Sequence, residues 1–319
     1  MLVAVGAAFP DAEVGTDAIA AGVGVETDWI VRRTGVESRR RIAEGGSLCA
    51  LAEAASRRAL ADAEVDARDV DLLILATMTP DAITPHGAAT IAAGLGAWRA
   101  GTMDLNAACT GFLAALSLAV GQVESGRALT ALVIGADAMS RVLDYTDRVT
   151  AGIFGDGAGA VVVRALPGAA SRVGPFVLES DGAAGDAIVT PWPAGPVRME
   201  GQRTFRRAVD ALADVGERAS ALAGIGVADL DLAVLHQANA RITAAVAERL
   251  ALPPERVVDC IGQIGNTTSA SIPTALAHAA RDGRLRPGAK VLLGAFGAGL
   301  AWGGTVVEWG SPTHAPAHG

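Results

Sequence analysis

The segment Thr102-Met-Asp-Leu-Asn-Ala-Ala-Cys-Thr-Gly-Phe-Leu-Ala-Ala-Leu116 reads as a short strand, a tight turn of small residues and a helix beginning at about Cys109. From Phe112 to Val120 there is no charge, and Ser117 is the one polar side chain. A helix that is apolar all round is a buried one. A strand handing over to a central helix is α/β architecture. The same handover leaves Cys109 at the positive end of a helix dipole, where a thiolate is favoured. Free cysteine is also among the most buried residue types, so a packing cysteine is the competing reading.

Working outward, Asp69-Val-Asp-Leu-Leu-Ile-Leu-Ala-Thr77 and Leu129-Thr-Ala-Leu-Val-Ile-Gly135 are near-continuous apolar runs of strand length. Runs of that kind suit strands covered on both faces. Residues 1–10 read as a first strand, and Glu26 to Gly35 as a short helix. Ser47 can cap a helix whose Leu48, Leu51, Ala55 and Ala59 recur at helical spacing. Thr79 to Pro85 is a loop, Gly87 to Leu95 a small-residue helix and Asp144 to Thr150 a polar loop. Phe154-Gly-Asp-Gly-Ala-Gly-Ala160 leads into a strand at Val161–Val163. A glycine run that precedes a strand is not a dinucleotide fingerprint, which opens a helix.

The second half repeats this grammar. A helix from Arg206 to Leu222 precedes Asp229-Leu-Asp-Leu-Ala-Val-Leu-His-Gln237, which resembles the Asp69–Thr77 run. A shift of 160 residues puts Asp71 on Asp231 and Cys109 on Ser269. Each half closes on a glycine-rich turn and a valine strand, Gly155 to Val163 and Gly297 to Val307. This is an internal duplication at domain scale. Two such halves imply parallel, helix-covered sheets with the N-termini of two central helices, near Cys109 and Ser269, facing each other. The division expected is residues 1–165, residues 166–310 and a disordered tail over 311–319.

Composition narrows the function. With 51% hydrophobic residues the chain can bury a large core, and it contains no long uncharged apolar run of membrane-spanning length. No basic leader precedes the first strand, so a cytoplasmic protein is expected. Cys49, Cys109 and Cys260 are odd in number and widely spaced, which excludes a disulfide framework or a zinc site as the expectation. A net charge of −8 speaks against a nucleic-acid partner. Arginines nevertheless cluster at Arg32-Arg33, Arg39–Arg41, Arg203, Arg206-Arg207, Arg241 and Arg249. They are either solvated faces or a landing area for a phosphate-bearing ligand or an acidic partner.

Three stations can carry chemistry: Cys109, the strand-end His236 of Leu235-His-Gln-Ala-Asn-Ala-Arg241, and Asn266 in Gly262-Gln-Ile-Gly-Asn-Thr-Thr-Ser-Ala-Ser-Ile-Pro273. Ligands of α/β sheets bind beyond the carboxyl ends of strands, where all three are expected. Singly, each is an ordinary structural residue; jointly, in duplicated halves, they point to one site.

Ala107-Ala-Cys-Thr-Gly-Phe112, His236-Gln-Ala-Asn-Ala-Arg241 and Gly265-Asn-Thr-Thr-Ser-Ala-Ser-Ile-Pro273 resemble the β-ketoacyl-acyl-carrier-protein synthase III family, thiolase-fold condensing enzymes. The likeness runs from Trp29 to Trp309 and takes in Phe154–Gly159 and Phe296–Gly303. It implies a layered αβαβα core of two βαβαβ halves and a decarboxylating acyltransferase. Cys109 would hold an acyl primer taken from an acyl-CoA, splitting one hard step into two. His236 and Asn266 would hydrogen-bond the thioester carbonyl of malonyl-carrier protein as carbon dioxide leaves. Such donors are typically worth ~3–4 kcal/mol each. Backbone N–H groups of Cys109, Ala298 and Gly299 would form the oxyanion hole. Relatives carry glycine where Ala298 stands, which raises the question of its φ.

The resemblance further implies that Trp29, Arg33, Arg148, Gly201 and Asn239 contact coenzyme A. Arg206, Arg241 and Arg249 would dock an acidic carrier protein, and Thr84 and Phe112 would belong to the primer pocket. Thr84, where some relatives have a bulky Phe, suggests room for longer or branched primers. A homodimer is implied, with no metal and no cofactor beyond the coenzyme A thioester substrate. A related acyltransferase without condensation, a non-catalytic partner subunit and a cysteine hydrolase are the alternatives. Asn266 favours condensation over the first, intact Cys109, His236 and Asn266 speak against the second, and no Asp or Glu is evident to orient His236 for the third.

Overall fold

The structure is a computed structural model, and it describes residues 1–165, 173–191 and 195–310. The expected tail over 311–319 lies outside the described residues. Strands β1 (Leu2–Ala8), β2 (Leu72–Ala76), β3 (Gly101–Leu105), β4 (Thr130–Ala138) and β5 (Asp156–Arg164) form one sheet in the order β1-β5-β4-β2-β3. Strands β6 (Val177–Ser180), β7 (Leu232–Leu235), β8 (Lys290–Gly297) and β9 (Ala301–Glu308) form a second in the order β7-β8-β9-β6.

Both sheets are mixed, which corrects the expectation of parallel ones. Strand β2 runs parallel to β3 and β4, and β7 parallel to β8. The pairs β4–β5, β5–β1, β8–β9 and β9–β6 are antiparallel. A parallel pair needs a crossover, whereas β8 returns directly into β9 across residues 298–300, which leaves only the antiparallel arrangement.

Helices α1 (Leu48–Asp62) and α2 (Gly87–Leu95) cover the outer face of the first sheet. Helices α3 (Gly111–Glu124) and α6 (Ser271–Arg281) lie between the sheets. Helix α4 (Gly201–Leu222) covers the outer face of the second, with α5 (Ala240–Arg249) packed on it. The result is five layers, helix–sheet–helix–sheet–helix. Helix α4 starts one turn earlier than the Arg206 expected from sequence. Ser47 caps α1 as its sequence suggests, its Oγ accepting from Ala50 N at 3.1 Å.

The duplication is visible atom by atom. Asp71 accepts through one carboxylate oxygen from Leu129 N and Thr130 N, and Asp231 accepts from Lys290 N in the matching place. Ala108 and Thr268, also 160 residues apart, both adopt left-handed φ, 46° and 49°. The halves differ at one edge. The counterpart of β3 is reduced to a single parallel bridge between Ala233 and Val257, and the positions equivalent to β3 form the one-turn helix Ile261–Ile264.

The glycine run before Val161 is part of β5, not a turn leading into it. A Cβ at Gly159 would come within 2.7 Å of the Pro273 side chain, and one at Gly135 within 2.2 Å of Ser269 O. Glycine there lets the α6 segment lie directly on the sheet. Helix α3 is buried except along a narrow stripe where Leu118 is 49% exposed, so it is not apolar-buried all round as expected.

Candidate active site

Cys109 stands in a single turn of 3-10 helix, Ala108–Thr110, that precedes α3. The equivalent turn of the second half, Thr268–Ala270, precedes α6. The two meet: a Cβ on Gly111 would lie 3.7 Å from Ser269 Cβ. Cys109, His236 and Asn266 all face one cleft of ≈ 480 Å³, with Phe296 and Gly297 beside them. The nucleophile candidate comes from the first half and the two hydrogen-bonding residues from the second.

Each of the three is fixed by its backbone. His236 follows β7 and its N–H donates to Gly294 O at 2.7 Å. Gln237 locks the same strand end: its Nε2 donates to Leu235 O and Val258 O, and its Oε1 accepts from Cys260 N. Asn266 pairs with Phe154 as an isolated bridge, its N–H donating to Ile153 O and its carbonyl accepting from Gly155 N. Asn266 Oδ1 accepts from Thr268 N at 2.9 Å, which leaves the side-chain NH2 as the donor available to the cleft.

The electrostatics are those of a dry site. Burial pushes His236 down to about 4, so its imidazole is neutral at physiological pH. Its Nδ1 is buried with no hydrogen-bond partner. Burial pushes the Cys109 thiol up to about 12, and the Asp137 carboxylate adds to the rise. The N–H groups of Cys109 and Ala298 act in the opposite direction. The resting group is therefore the thiol, against the expectation that helix position alone would favour the thiolate. The dipole of one helix is outweighed by loss of water and by a buried carboxylate nearby.

The remaining expected residues divide clearly. Trp29, Arg33, Arg148, Gly201, Asn239, Arg206 and Arg241 all line the same cleft. The Arg33 guanidinium lies 4.2 Å from the Trp29 ring centroid. Asn239 caps α5, accepting from Arg241 N at 2.9 Å and donating to Arg33 O at 2.8 Å. Arg249 stands apart from that lining and pairs with Asp210. Ala298 is not among the residues with positive φ, so alanine costs nothing there. Gly299, at φ 141°, is exposed and does not line the cleft; Gly297 does. Thr84 is exposed on its loop and Phe112 is wholly buried in the core, so neither lines the cleft.

The sequence reading placed Arg39 in an arginine cluster on a solvated face or landing area, whereas it is 3% exposed, and it missed the buried Asp137. Arg39 donates to Gly152 O at 2.7 Å beneath the Asn266 turn, and Asp137, at the end of β4, is fully buried. The available signal for the second was a carboxylate ending an otherwise apolar strand. Among the described residues no group of three or more His, Cys, Asp or Glu could hold a metal, and no helix is long and apolar enough to cross a membrane.

Comparison with known proteins agrees with this geometry. The family described as 3-oxoacyl-[acyl-carrier-protein] synthase III matches residues 103–182, and the C-terminal family of the same name matches residues 221–309. A β-ketoacyl-[acyl-carrier-protein] synthase III of Rhodospirillum centenum is 46% identical over 296 residues, covering 89% of this chain and 92% of the relative. The crystal structure of the synthase III of Pseudomonas aeruginosa superposes with a TM-score of 0.92 at 41% identity, over 97% of this chain and 98% of that one. The priming β-ketosynthase of the R1128 polyketide pathway superposes with a TM-score of 0.93 at 37% identity, over 98% and 96% of the two chains.

Proposed function

This chain belongs to the 3-oxoacyl-[acyl-carrier-protein] synthase III family, and from that premise we propose how its own residues carry out the family's decarboxylative condensation. It is an acyltransferase that joins an acyl primer to the two-carbon unit of malonyl-carrier protein. The observation that carries the residue assignment is the convergence of Cys109, His236 and Asn266, from two duplicated halves, on one cleft.

In the first step the Cys109 sulfur attacks the thioester carbonyl of an acyl-CoA. A carbon–sulfur bond forms, the bond to coenzyme A breaks, and the thiol proton leaves with coenzyme A as its free thiol. The N–H groups of Cys109 and Ala298 stabilise the oxyanion of the tetrahedral intermediate. In the second step the neutral His236 and the Asn266 amide donate to the thioester carbonyl of malonyl-carrier protein. Carbon dioxide departs, its bonding electrons pass into the enolate, and the enolate carbon attacks the acyl-Cys109 carbonyl and expels the sulfur as its thiolate, which takes a proton from water to restore the thiol. A neutral imidazole suits this role because it donates without needing to lose a charge.

Coenzyme A is read as lying along Trp29, Arg33, Arg148, Gly201 and Asn239. The mouth residues Arg206 and Arg241 are exposed and, among the described residues, have no ion-pair partner, which suits docking of an acidic carrier protein. A homodimer is supported by the free edge of β3, where Met103 is 42% exposed, and by Leu118 on the otherwise buried α3. Three free cysteines suit a reducing compartment, in keeping with action in the cytoplasm. No cofactor is invoked in either step.

Intact-mass measurement after incubation with a panel of acyl-CoAs tests the reading. An acyl adduct absent from Cys109→Ala is expected, followed on adding malonyl-carrier protein by loss of the adduct and release of carbon dioxide. An adduct that persists in Cys109→Ala overturns the nucleophile assignment.

A further inference from the structure

We propose that Asp137 is a positioning residue for the Asn266 amide, so that removing its hydrogen bonds to the Asn266 turn lowers the decarboxylation half of the reaction without lowering the acylation half. The proposal rests on the functional reading above. Asp137 ends β4 of the first half and is 0% exposed. Its Oδ1 accepts from Thr77 Oγ1 at 3.1 Å, Met78 N at 2.8 Å and Thr79 Oγ1 at 2.9 Å, all within the first half. Its Oδ2 accepts from Thr268 Oγ1, Ser269 N and Ser269 Oγ, all within the second half. One carboxylate thus spans the seam between the duplicated units, and its second oxygen belongs wholly to the turn that carries Asn266.

The link to Asn266 runs through Thr268. Its N–H donates to Asn266 Oδ1, and its hydroxyl donates to Asp137. Thr268 holds φ at 49°, a left-handed conformation that is unfavourable for a residue with a Cβ. A turn under that cost keeps its shape because it is gripped at both ends. Without the Asp137 contact, the Thr268 turn is held to Asn266 by the Thr268 N–H alone, and the plane of the Asn266 amide is fixed less tightly.

The duplication supplies an internal control. The shift that places Ser269 on Cys109 also places Asp137 on Gly297. At the second-half turn a carboxylate from the first half fills the space and braces the turn. At the first-half turn the matching residue, Gly297 of the second half, has no side chain, and that space holds the Cys109 sulfur: a Cβ on Gly297 would lie 3.1 Å from Sγ. The first-half turn has the same backbone bend at Ala108, whose N–H donates to Asn106 Oδ1 at 3.1 Å, but alanine offers no hydroxyl to a brace. One copy of the turn is left open for the nucleophile and the other is tied down. Only the tied copy presents an amide that must point at substrate.

The test compares Asp137→Asn, Thr268→Val, Thr268→Ser and Asn266→Ala in the full chain. Acyl loading is read by intact mass with acetyl-, isobutyryl- and hexanoyl-CoA, and carbon dioxide release with malonyl-carrier protein. Valine keeps the β-branch and the backbone cost of Thr268 but removes its hydroxyl, and serine restores the hydroxyl. Asp137→Asn and Thr268→Val are expected to lower carbon dioxide release by about tenfold or more, as small misplacements of a reacting group do. Loading should stay within about twofold in Thr268→Val and should not fall in Asp137→Asn, which also removes the charge that raises the Cys109 thiol. Thr268→Ser is expected to return near the parent rate, a rescue that a loss of general stability would not show. The proposal is overturned if both half-reactions fall together in proteins that melt like the parent. It is equally overturned if carbon dioxide release is unchanged in both variants while Asn266→Ala lowers it. Should Asp137→Asn fail to fold, the Thr268 pair decides alone. Parent-like release by Asn266→Ala would overturn the functional reading of that residue, and this proposal with it.

Discussion

A Cβ built on Gly297 would lie 2.6 Å from the Cβ of Cys109 and 3.2 Å from its backbone nitrogen. Real Cβ atoms do not approach so closely, and Gly297 has an ordinary strand conformation at the end of β8. Glycine is therefore required there for space. Gly297→Ala is expected to push the Cys109 turn away from the cleft, at a stability cost of about 1–3 kcal/mol typical of overpacking. Acyl loading by intact mass should fall by about two orders of magnitude, the scale of a misplaced reacting group. Ala298→Gly, one residue on, should leave loading nearly unchanged, because Ala298 already has a φ open to every residue.

The neutral state of His236 has a sign that can be checked. Its value of about 4 lies below that of an unfolded histidine, so between pH 6.5 and 4 the unfolded chain binds the extra proton. Stability contributed by keeping the ring neutral is therefore complete above pH 6.5 and is lost as pH falls toward 4, by up to about 3 kcal/mol. Chemical denaturation of the parent and of His236→Gln at pH 7.5 and 4.5 should show the smaller drop in the variant. Carbon dioxide release by the parent should show no histidine-like acid limb between pH 5.5 and 8. A limb centred near 6.5 would mean that water reaches the ring.

Cys109 makes the complementary prediction. With the thiol pushed up to about 12, iodoacetamide alkylation of Cys109 should rise about tenfold per pH unit from pH 7 to 9.5 without a plateau. A plateau near pH 8 would indicate that the N–H groups of Cys109 and Ala298 outweigh burial and Asp137. The helix-terminus argument from sequence would then be restored.

The arginines around the mouth separate into two kinds. Arg206 and Arg241 are exposed on the cleft lining, whereas Arg249 is engaged by Asp210. Arg206→Ala and Arg241→Ala should each raise the KM for malonyl-carrier protein several-fold with kcat little changed. The difference should shrink as salt rises, since exposed charges are screened within about 8 Å at physiological ionic strength. Arg249→Ala should have the smaller effect. A steady-state titration at two salt concentrations distinguishes the three.

How far the sequence could be read depended on the range over which its residues act. The duplication was legible because it repeats local chemistry: a carboxylate before each strand, small residues at each turn, an apolar helix after each. Ala108 and Thr268 share their backbone bend for that reason. Polar contacts between residues distant in the chain were not legible. Asp137 meets Ser269 across 132 positions, and Arg39 meets Gly152 across 113. No periodicity marks either, since each is one polar residue in a segment whose pattern concerns burial. The glycines of β5 were misread as a turn because their cause is the approach of residues distant in the chain, Pro273 at Gly159 and Phe9 with Thr267 at Gly157.

A primer-length role for Thr84 would connect primer choice to assembly. Thr84 is exposed, its neighbour Ile83 is 70% exposed, and neither lines the cleft. A primer-length role for Thr84 therefore requires a second subunit to bring the loop to the cleft of the first. Two measurements must then move together. Light scattering should show a dimer at micromolar concentration, and Thr84→Phe should reduce loading of medium-chain and branched primers by about tenfold while acetyl loading persists, roughly the discrimination a few methylene groups allow in an apolar pocket. Ile83→Asp, which places a charge on the same exposed loop, should weaken the dimer and impair loading of the longer primers in parallel. A dimer whose primer range is unchanged by Thr84→Phe would remove this residue from the pocket. A monomer with the parent's primer range would remove the second subunit as well, leaving chain length to the cleft formed by Ile188, Phe205 and Leu212 alone.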